Sequence, residues 1–263
     1  MQIRGTEMST DLAGDTVTAV LPDRPVRSYP ALLSTETVAM AWAREGAPHG
    51  AVVVADYQVS PRGRGGLPWT VTPARSVGFT LLLRPDDLSP EREGWPYVAG
   101  SLAITDAVGG PTTVLEWPDT VLRAGSARTL ASIGVHVELG PLHTDWLTVT
   151  VLVRHTRPPR APLLARLVTA LERRLSAPPD PVLAAYRERS TTLGRQVRAR
   201  MIPMGPGGPE ITGEAVDILA DGALVLLTAR GSRVAVRPQN LGLLEAPEGP
   251  IVPPENVLGT DLR

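Results

Sequence analysis

Two arginines set between glycines are the residues in this chain best suited to chemistry. They lie in VSPRGRGGLPW (59–69), directly after an apolar run, AVVVADYQ (51–58). Glycine lets a backbone approach a ligand that a Cβ would hold away. Arginine forks onto carboxylate or phosphate oxygens with paired N–H groups. Arg62, Gly63 and Arg64, closed off by Trp69, therefore read as an anion-handling loop, against the plainer reading of a solvated loop that binds nothing. The histidines offer less. His136 sits in an alternating segment and is expected to be packed, and His49 and His155 stand alone. His143 and Asp145 lack a third partner for a metal, so no metal site is expected. No spacing argues for a Ser/His/Asp triad or a phosphate loop.

The chain has 263 residues and a formal net charge of −1, which argues against a polyanion-binding protein as a whole. Without cysteine it has neither a disulfide framework nor a thiolate metal site. No apolar run approaches the roughly 20 residues of a membrane span. The N-terminus lacks the apolar core of a signal peptide, so a cytoplasmic protein is expected, starting at Met1 or Met8. Its 26 Lys-plus-Arg positions are all arginine. No step can use a lysine ammonium, and a planar guanidinium does not replace that compact charge like for like.

The elements that must position the loop follow from periodicity and punctuation. Residues 1–27 read as a polar tail or a short edge element. Ser34 and Thr35 open a helix, STETVAMAWAREG, with a hydroxyl as the expected cap. Strands are expected at 51–58, 76–85, 111–117, 133–140 and 146–155, and helices at 95–110, 161–176 and 180–190, the last capped by Asp180. Trp42 and Trp95 fall on helical patterns and are expected to anchor a core or an interface. RHTRPPR (154–160) and RQVRAR (195–200) read as solvated basic clusters. After residue 191 short strands alternate with turns at 220–222 and 230–232, which predicts a small barrel of SH3-like size. Residues 246–263 are a Pro-rich tail.

In this order the motifs resemble the biotin protein ligase family from residue 30 to about 245. They are Ser34-Thr35, Asp56-Tyr57-Gln58, the loop 61–69 with Arg62, Gly63, Arg64 and Trp69, and then Trp117-Pro118-Asp119-Thr120. TLGRQVR (192–198) and GEAVDILADGAL (213–224) complete the set. The resemblance implies an α+β fold, with a mixed sheet flanked by helices over 28–190 and an SH3-like barrel over 191–245. It implies that Ser34, Thr35 and Gln58 contact a biotin head group. Arg62, Gly63 and Arg64 would cover the acid and phosphate, Trp69 would pack on an adenylate, and Gly134 would stand on the strand beneath.

The sequence departs from that pattern on the nucleotide side. The family's lysine aligns with Ala131 or Thr129, and neither is cationic. Loss of one such charge costs on the order of 10² to 10³ in rate. The family's Asn-Asp pair is Asp119-Thr120, and RHTRPPR is too short for an adenine pocket. The expectation is therefore a pseudoenzyme that can hold biotin but not ATP and Mg, serving as a binding or regulatory subunit for a biotin carrier domain or acyl-CoA carboxylase component. An active ligase or acyltransferase using Arg64 and Arg128, and a scaffold with an empty pocket, are the alternatives. About thirty residues before Ser34 are too few for a DNA-binding domain. The open sheet admits a homodimer, and the sequence leaves that undecided.

Overall fold

A seven-stranded mixed sheet carries the loop and its surroundings, in the order β1-β2-β3-β7-β6-β5-β4. The computed structural model describes residues 10–85, 88–126, 128–141, 143–154, 156–157, 159–203 and 208–247. The chain runs α1 (Gly14–Val20), β1 (Val26–Leu32), α2 (Thr35–Arg44), β2 (Val52–Gln58), β3 (Ser76–Leu83) and α3 (Trp95–Val108). It continues through β4 (Thr113–Glu116), β5 (Thr120–Arg123), β6 (Thr129–Leu139), β7 (Thr144–Arg154), α4 (Ala161–Leu175) and α5 (Pro179–Arg189). Among the described strands, β1 and β2 form the one parallel ladder of this sheet. Among the described residues no helix is long and apolar enough to cross a membrane.

Alternation along β3 decides the layering. Val77, Phe79, Leu81 and Leu83 enter the main core, which also holds Leu102 of α3 and Leu164, Leu167 and Leu171 of α4. Leu82, from the opposite face of β3, packs with Ala43 and Trp146 in a smaller cluster beside α2. Helix α3 is buried from Trp95 through Thr105, as its nearly unbroken apolar sequence requires. Truncating a core leucine such as Leu171, at 0% exposure, would cost about 2–5 kcal/mol.

The stretch expected as a tail is structured from residue 10 onward. Leu12, Val17 and Leu21 join the core, and β1 forms the sheet edge. A buried ion triad fixes this segment. Arg160, 0% exposed, donates to Asp11 at 2.6 Å and to Asp56 of β2. Asp11 also accepts the Arg160 backbone N–H at 2.7 Å. Burial works against the Arg160 charge, but the two carboxylates prevail and hold its pKa up. Arg160 is thus no solvated member of a basic cluster. In the second cluster Arg195 and Arg200 stay solvated beside Glu116 and Glu210, while the less exposed Arg198 pairs with Glu245 at 2.6 Å. Residues 1–9 and 248–263, including both candidate start methionines and most of the Pro-rich tail, lie outside the described residues.

The C-terminal strands are β8 (Gln196–Met201), β9 (Glu210–Ile218), β10 (Leu224–Leu227), β11 (Arg233–Val236) and β12 (Leu241–Glu245). They pair antiparallel in the order β11-β10-β9-β8-β12. No ladder closes β11 onto β12 among the described residues. This unit packs tightly on the larger domain. Trp117 donates its Nε1–H to the Gly222 carbonyl at 3.0 Å and its backbone N–H to Thr192 Oγ1 at 2.9 Å. Gly222 has φ +86 and lies against the Gly94 carbonyl, so the contact needs glycine on both counts.

Candidate functional site

The start of α2 is held by a remote side chain. The Ser34 hydroxyl makes no cap bond, is buried and has no hydrogen-bond partner. Gln58 Oε1 instead accepts the Thr35 backbone N–H at 2.9 Å and the Thr35 hydroxyl at 3.1 Å. Thr80 continues the chain, donating to Thr35 Oγ1 at 2.9 Å and meeting Thr150 Oγ1 at 2.9 Å. Gly78 leaves the room that the Gln58 amide fills. Thr35 and Gln58, at 0% and 3% exposure, bond to each other, whereas the Ser34 hydroxyl, at 3% exposure, is left without a partner. Asp180, expected as the cap of α5, lies instead within its first turn, and Pro178 holds the cap position.

Above β6 the arginine loop folds over the sheet. Gly63 rests on Gly134, where a Cβ would come within 3.2 Å of the Gly63 backbone. The half-buried Trp69 indole lies against Gly63 so closely that any side chain there would collide with it. The loop bonds to itself: Gly63 N–H donates to Leu67 O at 2.8 Å and Gly66 N–H to Gly63 O at 3.0 Å. Arg62 is exposed and caps the Gly66 carbonyl at 3.1 Å.

Arg64 is buried at 6% exposure, and every guanidinium nitrogen is engaged. Nε donates to Asp119 Oδ2 at 3.0 Å, Nη1 to Leu241 O and Nη2 to Gly242 O at 3.5 Å. Asp119 stands in the turn between β4 and β5, and Leu241 and Gly242 begin β12. One side chain therefore clamps the loop to both the large domain and the C-terminal unit.

Beside the loop is a cavity of about 460 Å3, lined by Glu36, Gly63, Gly66, Tyr97, His136 and Gln239 among others. Burial pushes the Glu36 carboxyl up to about 7. Burial likewise raises the Tyr97 phenol, whose O–H meets the carbonyl and N–H of Val135 at 3.4 and 3.3 Å. His136 directs Nε2 to Glu138 at 3.3 Å and leans on the Trp146 ring. Gln239 donates to Glu93, also in the lining, and its Oε1 is buried without a partner.

Of the residues singled out from sequence, the structure brings Gly63, Arg64, Trp69 and Gly134 together. Arg62 stays outside the lining, and Arg128 is exposed at the β5–β6 connection, away from the cavity. Ala131 is in the core at 0% exposure. His143 and Asp145 meet at 3.4 Å, and no group of three potential metal ligands occurs among the described residues. Sequence reasoning missed Glu36, Glu93, Tyr97 and Gln239. Only Glu36, directly after Ser34-Thr35, carried a positional signal.

Known proteins agree with this architecture. A family model described as the biotin protein ligase C terminal domain matches residues 192–237. The biotin protein ligase of Aquifex aeolicus, solved in complex with biotin and ATP, superposes with a TM-score of 0.64 at 20% identity, covering 84% of this chain and 99% of that one. A biotin protein ligase-like protein of unknown function from Silicibacter sp. gives 0.61 at 12% identity, covering 82% and 95%. The biotin–[acetyl-CoA-carboxylase] ligase of Mycobacterium tuberculosis is 33% identical over 215 residues, 73% of this chain and 79% of its own. With the loop, the Trp117 turn and the C-terminal strands in this order, the chain belongs to the biotin protein ligase family.

Proposed function

We propose that this protein keeps the ligand cavity of its family but uses it for binding, as a regulatory subunit for a biotin-type ligand or for a carrier domain or carboxylase component. The observation that carries this reading is the state of Arg64. Its nitrogens are all held by Asp119 and two backbone carbonyls, so its charge is spent on the clamp. The chain has no lysine to take its place. Activating a carboxylate with ATP develops negative charge that needs a positioned cation. Purified protein incubated with ATP, Mg, biotin and a biotin carrier domain should leave the carrier lysine unmodified by mass spectrometry. Stoichiometric biotinylation overturns the proposal. The second reading, an active ligase of altered chemistry, is favoured by the 33% identity to the Mycobacterium tuberculosis ligase, and the same assay separates the two.

A further inference from the structure

The cavity beside the loop is rich in hydrogen-bond acceptors and poor in donors. Among its described lining residues none carries a permanent positive charge, while Glu36 and Glu93 bring carboxyl groups from two different elements. Several of the lining donors are used within the protein. Gly63 and Gly66 N–H groups bond inside the loop, and the Tyr97 hydroxyl and the Val135 N–H bond to each other. His136 turns Nε2 to Glu138 at 3.3 Å. Arg64, behind the lining, is neutralised by Asp119. The acceptors are left over: Gln239 Oε1 is buried with no partner, and nothing but burial sets the state of Glu36. A buried acceptor without a donor is costly, and a ligand carboxylate here would add a third negative group.

Building on the proposed binding role, we infer that this cavity selects a ligand through a primary ammonium group, held by Glu36 and Glu93, and disfavours a free carboxylate. The ammonium could belong to a small biotin-type amine or to a lysine side chain, and the two sources separate experimentally.

The test is calorimetric titration of the full chain with biotin, biotinamide, norbiotinamine (an amine in place of the carboxyl) and n-butylamine, at pH 6 and pH 8. Norbiotinamine is expected to bind at least tenfold more tightly than biotin at pH 8, with biotinamide between them. The preference should shrink at pH 6, where Glu36 takes up its proton. Glu36→Gln should abolish the preference at both pH values, and Glu93→Gln should reduce it, circular dichroism confirming that each variant folds. Biotin binding as tightly as the amine, or a preference surviving in both variants, overturns the inference and leaves the biotin-type reading standing. Butylamine binding alone, in a Glu36-dependent way, supports the inference with a lysine-like ligand and overturns the biotin-type reading. Binding of none of the four overturns both.

Discussion

Gln58 reaches across 23 residues of sequence to accept the N–H of Thr35. A helix start leaves such N–H groups without partners, and burying one unpaired costs about 1–3 kcal/mol. Gln58→Ala should therefore lower stability by about 1–2 kcal/mol in urea unfolding, and Ser34→Ala should change it far less. Glu36 gives a second signature at this scale. Its folded pKa, about 7, exceeds the ordinary 4.5, so between those values the folded state holds a proton that the unfolded state releases. Stability contributed by the neutral form is thus lost as pH rises from about 4.5 to 7. At about 1.4 kcal/mol per unit, discounted for solvent in the cavity, the loss should be about 1–2 kcal/mol. Glu36→Gln should flatten that slope in melts across the same window. The residue types around Arg64 were legible in the sequence, but their use was not. A guanidinium between glycines reads as an anion site until Asp119, 55 residues away, closes on it.

Among the elements, the loop and the β4–β5 turn behave as one piece because Arg64 and Asp119 join them. Removing the carboxylate leaves a buried guanidinium with backbone carbonyls alone. Asp119→Ala should cost about 3 kcal/mol, whereas Asp119→Ala with Arg64→Met, which removes both charges, should recover most of it. A double-mutant cycle in chemical denaturation measures that recovery. Long apolar or alternating stretches such as β3, α3 and β7 were readable from their period. Strand β5 was not, since four residues directly after a Trp-Pro turn give no period to read. Strand β1 was obscured by Pro30, which an edge strand tolerates. Helix α1 has seven residues and one buried side chain, Val17, so its amphipathic face barely registers.

For the molecule as a whole, two tethers bind segments far apart in the chain. Arg160 ties Asp11, 149 residues away, into the sheet, and Trp117 ties Gly222, 105 residues away, onto the large domain. No local pattern could reveal either, because each partner is unremarkable where it stands in the sequence. With Trp117 at 2% exposure and Arg64 bridging to β12, the two units should unfold together. Scanning calorimetry should show one transition whose calorimetric and van't Hoff enthalpies agree. Two resolved transitions would mean that the Trp117 and Arg64 contacts do not couple the units.

The Arg64 clamp also makes the molecule a two-ended lever. The strand that supplies Leu241 and Gly242 is joined through Arg64 to the loop beside the cavity. Thermodynamic linkage is symmetric. A partner that shifts β12 changes affinity in the cavity by some factor, and an occupied cavity changes affinity for that partner by the same factor. Communication between the small unit and the ligand site thus needs no long relay, only three hydrogen-bonding nitrogens on a single side chain.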